Sequence, residues 1–226
     1  MGAAPAGQPH GAAVRIVNKW LSHRATKPTA FVLALCPLAL LISGAVHQSL
    51  GANPAEALLR GTGDWVLRFL CLTLAVTPLR HLTGWHALLR LRRLLGLFAF
   101  FYGVLHFLCY AWLDMGFDVA AIARDIPKRP FALVGTLALL LMLPLAATSF
   151  DHAIRALGAQ RWRQLHRSVY AVVLLGLLHF FWMRSAKNDF AEVLPYALAI
   201  AALLGWRVWH RLRRGALHER AAGLTG

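Results

Sequence analysis

The sequence predicts an all-α fold, an integral membrane bundle of six transmembrane helices with its N-terminus and C-terminus both cytoplasmic. Three observations carry that expectation. The 226 residues are 58% hydrophobic and only 15% charged, where an ordinary soluble domain carries roughly 25% charged residues. The charges are segregated between long apolar runs, several near the length of about 20 residues that spans a bilayer core as a helix. The basic residues also sort by loop. The set holding both termini and the 80–93 and 151–167 loops carries 17 of the 24 Lys and Arg residues. The alternate set carries 7, together with seven of the nine acids. Basic loops stay in the cytoplasm, which places both ends inside. The formal net charge of +15 therefore reads as topology and contact with lipid headgroups, not as a nucleic-acid site.

The elements follow in order. Residues 1–13 are rich in Ala, Gly and Pro and are expected to be disordered. Within a tail of residues 1–28, Arg15, Lys19, Arg24 and Lys27 lead to the first span, Thr29–Val46. That run is long enough to cross the membrane, and no cleavage site sets off a mature soluble domain, so it reads as an uncleaved span. Pro37 is expected to kink it. A loop with Gly51, Asn53 and Pro54 precedes the second and weakest span, Trp65–Leu79, which Pro78 and Arg80 are expected to end. Arg68 can snorkel from its start. The third span is Leu94–Leu113, the fourth Phe131–Phe150, the fifth Leu165–Met183 and the sixth Val193–Trp209, followed by a tail of residues 210–226. No loop is long enough for a soluble catalytic domain. Cys36, Cys71 and Cys109 lie in apolar runs without a CxxC, as small buried hydrophobes rather than a disulfide or metal set.

His106 lies deep in the uncharged third span. A titratable ring there is costly unless it faces the protein interior or holds something. Spans three and five run the same way across the membrane. His106 follows Arg93, and His179 follows His166, by the same number of residues, so both rings lie roughly 20 Å from the cytoplasmic face at 1.5 Å per residue. Two imidazoles at one depth among Phe98, Phe101, Phe107, Phe180 and Phe181 suit a flat aromatic cofactor such as b-type haem, which takes two axial imidazoles. A plainer alternative has each ring only hydrogen-bonding a neighbouring helix. His166 falls on nearly the opposite face of a regular helix from His179, so either that helix is distorted or His166 serves a different neighbour. His47, His81, His86, His152 and His210 read as solvated or interfacial. Arg92, Arg93, Arg161, Arg163 and Arg167 suit topology, haem propionates or a flavin phosphate. No GxSxG, HExxH, P-loop or dinucleotide fingerprint is present. The chain must therefore receive electrons from elsewhere.

The segments RRLLGLFAFFYGVLHF (Arg92–Phe107) and RWRQLHRSVYAVVLLGLLHFFW (Arg161–Trp182), with TPLR at Thr77–Arg80, resemble the MsrQ (YedZ) family. These are haem-binding membrane subunits of the bacterial periplasmic methionine sulfoxide reductase system, in the wider group of ferric reductase-like transmembrane domains. The resemblance covers all six spans. It implies a ferric reductase-like domain over residues 29–209 in the inner (cytoplasmic) membrane. It implies haem b, one or two, and FMN. It further implies electron transfer from the quinol pool or a cytoplasmic flavin reductase to MsrP, a periplasmic molybdenum enzyme that repairs oxidised methionines. The chain would then be an electron-transfer subunit rather than the catalytic one. By motif match, His106, His166 and His179 correspond to the family's haem-associated histidines, and Arg92 and Arg93 to its basic entry. The oxidases of the wider group carry two histidines on the third span, where this chain has one. A stand-alone ferric or quinone reductase, and a non-redox scaffold or small transporter, are the alternative readings.

Overall fold

The computed structural model describes residues 9–185 and 190–222, and the described residues are helical with short connections. The helices are α1 (Pro9–Ser22), α2 (Thr26–Val46), α3 (Pro54–Thr83), α4 (Leu89–Cys109), α5 (Val119–Asp125), α6 (Pro130–Ala147), α7 (Asp151–Leu157), α8 (Ala159–Leu165), α9 (Val169–Ser185) and α10 (Val193–Ala222). Six helical stretches among the described residues are long and apolar enough to cross a membrane: α2, α3, α4, α6, the α8–α9 pair and α10. This is the six-span bundle the sequence predicts.

Several boundaries differ, each for a local reason. Of residues 1–13, expected to be disordered, residues 9–13 instead open α1 at Pro9, and residues 1–8 lie outside the described residues. The Asn18 side chain ties α1 to the α3–α4 connection, donating to the Gly84 carbonyl and accepting from the Ala87 amide, each at 3.0 Å. The second span is far longer than Trp65–Leu79. Asn53 caps α3 by accepting from the Glu56 amide at 3.1 Å. At the other end α3 runs through Pro78 to Thr83 and stops at Gly84 in the left-handed region, φ 74°. Residues 119–125, expected as loop, form α5 behind an Asp118 cap. Cys36 is exposed rather than buried, and Cys71 and Cys109 are half-buried; all three are free thiols.

Two prolines organise the bundle through the backbone groups they disturb. A proline inside a helix deprives the carbonyl four residues earlier of its donor. For Pro78 that carbonyl belongs to Leu74, and the buried Arg207 of α10 donates to it at 2.5 Å. Arg207 also donates to the Leu203 carbonyl at 2.8 Å and lies over the Tyr170 ring at 5.8 Å. Near Pro37 in α2, the Tyr102 hydroxyl donates to the Ala34 carbonyl at 2.9 Å and accepts from the Leu38 amide at 3.1 Å. It thus bridges one rung of the helix ladder. Tyr102 is fully buried and stacks on Phe69 with centroids 5.4 Å apart. With Phe98, Ala99, Leu70, Leu74, Val172 and Val173 it forms the core that holds α2, α3, α4 and α9 together.

The most extensive helix contacts join α3 to α4 and α6 to α9. Four of the six spans thus form two helix pairs packed side by side, with α2 and α10 against them, and the histidines of interest lie on the second member of each pair.

Candidate functional site

Between the two pairs lies a cavity of about 480 Å³, within the range of roughly 300–1,000 Å³ typical of small-molecule and cofactor sites. Its walls are mostly apolar, among them Val66, Leu67, Phe107, Phe131, Leu139, Met142 and Phe180. Two polar rings enter it, His106 from α4 and His179 from α9.

The rings face each other with centroids 5.9 Å apart and planes at 82°. The His106 Nδ1 is 2.9 Å from the Leu59 carbonyl of α3, and the His179 Nδ1 is 2.6 Å from the Phe131 carbonyl of α6. A carbonyl can only accept, so each Nδ1 carries the proton and each Nε2 keeps its lone pair. Neither Nε2 has a hydrogen-bond partner among the described residues. This is how metal-ligating histidines are commonly held, with the second nitrogen donating to a backbone carbonyl that fixes the tautomer and raises ligand basicity. The separation fits as well. With metal–imidazole bonds of about 2 Å, one ion bridged by two such rings sets their centroids roughly 6 Å apart. The site therefore fits a planar cofactor with a bis-imidazole metal. The plainer alternative, a ring bonding its neighbouring helix, describes only the Nδ1 half of each histidine.

One end of the cavity is charged. Glu56, Arg60, Asp64, Asp114 and Arg129 line it. Arg60 pairs with Glu56, and Arg129 with Asp125 at 3.0 Å. Tyr110, also in the lining, donates to Asp125 at 2.8 Å. It opens a π-helical turn, Tyr110–Asp114, that finishes α4. Sequence reasoning missed Arg60 and Arg129. Each has an acid four residues before it, a pattern that reads as an ordinary helix-surface pair.

The other proposed residues stand apart from this cavity. His166 lies in a 3-10 turn, His166–Ser168, between α8 and α9. Its Nε2 is 3.0 Å from the Thr148 hydroxyl, and its ring stacks on Trp162 with centroids 4.1 Å apart. The regular helix is thus broken there, and His166 serves a neighbour other than His179. Arg93 pairs with Asp151 at 2.7 Å on the surface. Arg92 is half-buried near the start of α4, and Arg161, Arg163 and Arg167 are exposed. At the same end His81, Trp206 and His210 form an aromatic cluster that the sequence reading did not anticipate. The His81 and His210 centroids are 5.0 Å apart, and Trp206 lies parallel on His210 at 4.9 Å.

Comparison with known proteins adds to this geometry. A family model described as "Ferric reductase like transmembrane component" matches residues 62–177, which include α4 with His106 and end just before His179. A protein of Polaromonas naphthalenivorans is 60% identical over 210 residues, covering 92% of this chain and 96% of that protein. One from Azospira oryzae is 57% identical, covering 84% of this chain and 81% of its own length, and one from Ralstonia nicotianae is 52% identical, covering 90% and 95%. Each of the three is named "Protein-methionine-sulfoxide reductase heme-binding subunit MsrQ". No solved structure matches the chain.

Proposed function

The chain belongs to the MsrQ family of heme-binding subunits within the ferric reductase-like transmembrane proteins, and from that premise we propose that it is a b-type haem electron-transfer subunit. Its electrons would come from the quinol pool or a cytoplasmic flavin reductase. They would pass to a periplasmic, molybdenum-containing MsrP-type catalytic subunit that repairs oxidised methionines in envelope proteins. The observation that carries this reading is the His106–His179 pair, with both Nδ1 atoms on carbonyls and both Nε2 atoms turned to one cavity. Haem held by those two nitrogens supplies a reversible one-electron carrier in a site that the apolar walls keep dry.

The residues divide the work. His106 and His179 would hold the iron, with their carbonyl partners keeping both rings basic. Arg60 and Arg129 place cations at the charged end of the cavity, where acidic substituents of the cofactor can be paired. In the proposed topology both termini are cytoplasmic in the inner membrane, and that charged end faces the periplasm, where the acceptor docks. His166, with Arg92, stands at the opposite end of the same helices, on the side where electrons enter. The proposed FMN takes its phosphate among Arg161, Arg163 and Arg167, which are free to meet it at that surface.

Absorption spectroscopy of the purified full-length protein, expressed with ample haem, tests the reading. Reducible b-type Soret and α bands are expected, together with reoxidation by a periplasmic methionine sulfoxide reductase supplied with substrate. A protein with no reducible haem bands removes the proposal.

A further inference from the structure

The two halves of the site are built alike. In α3 the Leu59 carbonyl receives His106, and Gly63 lies four residues further along. In α6 the Phe131 carbonyl receives His179, and Gly135 lies four residues further along. Carbonyl and histidine are 47 residues apart in one half and 48 in the other. The correspondence extends one turn before each histidine. A Cβ on Gly103 would meet Leu139 at 3.3 Å and Met142 at 4.0 Å, and one on Gly176 would meet Leu67 at 3.5 Å and Leu70 at 4.0 Å. Each glycine of one pair thus faces the leading helix of the other pair.

In a helix the carbonyl of residue i already accepts from the amide of residue i+4. A ring from a neighbouring helix that shares that oxygen lies here against residue i+4; the Leu59 carbonyl also accepts from the Thr62 hydroxyl of its own helix at 2.9 Å. A Cβ at Gly63 would stand 3.0 Å from both Nδ1 and Cε1 of His106. A Cβ at Gly135 would stand 2.6 Å from Nδ1 and 2.9 Å from Cε1 of His179. Helical glycines elsewhere differ: at Gly96 a Cβ would meet only Thr73 Cγ2 at 3.8 Å and at Gly205 nothing within 4 Å, while at Gly44 and Gly61 it would meet the ends of flexible leucine side chains, Leu50 at 2.5 Å and Leu41 at 2.7 Å, and not an anchored ring. Glycine is among the poorest helix formers, so its presence in mid-helix opposite each imidazole calls for a local reason. We infer that Gly63 and Gly135 are matched positioning residues, each keeping open the space through which an imidazole Nδ1–H reaches the backbone carbonyl that orients it and sets its basicity. This rests on the haem reading and extends it to two glycines of the cavity lining that act through the imidazoles and not as ligands.

The test uses full-length protein with haem, comparing wild type with Gly63→Ala, Gly135→Ala and Gly96→Ala. Loss of a partner that orients a metal ligand commonly weakens metal binding roughly 10–100-fold. The first two variants are expected to release haem that much more readily. They should also show part of the iron as high-spin by electron paramagnetic resonance, and a higher midpoint potential because the ligand is less basic. Gly96→Ala is expected to match wild type in all three. Wild-type spin state and potential in both Gly63→Ala and Gly135→Ala overturn the inference. A wild-type protein without bis-imidazole haem instead overturns the underlying reading. If the alanine variants do not accumulate, His106→Gly and His179→Gly proteins are supplied with imidazole or 1-methylimidazole. Only imidazole can donate to the carbonyl, so a higher potential with 1-methylimidazole is expected, and equal potentials overturn the inference.

Discussion

The two ends of α4 and α9 make an instructive comparison. At one end His106 and His179 face each other across a cavity, each anchored by its Nδ1. At the other, His166 lies flat on Trp162 and shares its Nε2 with Thr148, while Arg93, at the matching level of α4, is turned outward to Asp151. The two ends thus hold their histidines in different ways. What distinguishes the first end is a free Nε2, an opposing ring and space between. The second end is closed by packing and hydrogen bonds.

The largest effect expected from this contrast comes from His106→Ala and His179→Ala. Each should abolish the same haem signal in a reduced-minus-oxidised spectrum, since both rings serve one site; loss of two different signals would break the pairing. His166→Ala should leave the haem-to-protein ratio unchanged. Its cost is about 0.5–1.5 kcal/mol for the lost hydrogen bond, read by thermal unfolding. A fall in that ratio would place a second metal centre at the closed end and erase the distinction.

Arg207→Met sharpens the other half of the comparison. It removes the charge-assisted hydrogen bonds to the carbonyls of Leu74 and Leu203. The expected loss is about 1.5–3 kcal/mol in a detergent melting experiment, with the haem spectrum retained because the change lies away from the cavity. A lost haem spectrum with an unchanged melting temperature would show that the two ends are not independent.

The smallest effect belongs to the Arg93–Asp151 pair. The Arg93 guanidinium, by its hydrogen bond first and its charge second, holds the Asp151 carboxyl below the usual carboxylate range. A carboxyl lowered on folding adds stability above its unfolded value of about 3.9, and the gain disappears as pH falls through the folded value. Asp151 is exposed, so screening leaves little. Asp151→Asn should therefore unfold like wild type at neutral pH, and the two proteins should also coincide once the pH has fallen below the lowered Asp151 value. A marked difference at neutral pH would mean that the pair braces the closed end more than an exposed pair can.

The sequence reveals the bundle and the central pair for the same reason: both depend on depth. Uncharged runs of about twenty residues and sorted basic loops mark the spans, and equal spacing from Arg93 and His166 puts His106 and His179 at one level. Rotation about the helix axis and contacts from distant segments were not legible. Nothing near Leu59 or Phe131 announces a carbonyl that will receive an imidazole. Arg60 and Arg129 look like members of local ion pairs until the fold brings both to one cavity. Pro78 reads as a stop signal. It failed as one because Arg207, more than a hundred residues later, supplies the donor that its ring displaces.

That last contact has a consequence for how the protein is made. While α3 leaves the ribosome and enters the bilayer, the Leu74 carbonyl has no amide to meet it and lies at a depth without water. The donor that completes it belongs to α10, more than a hundred residues further along the chain. Until then the second span remains a helix with an open rung. Closure of that rung thus waits for α10 to reach α3.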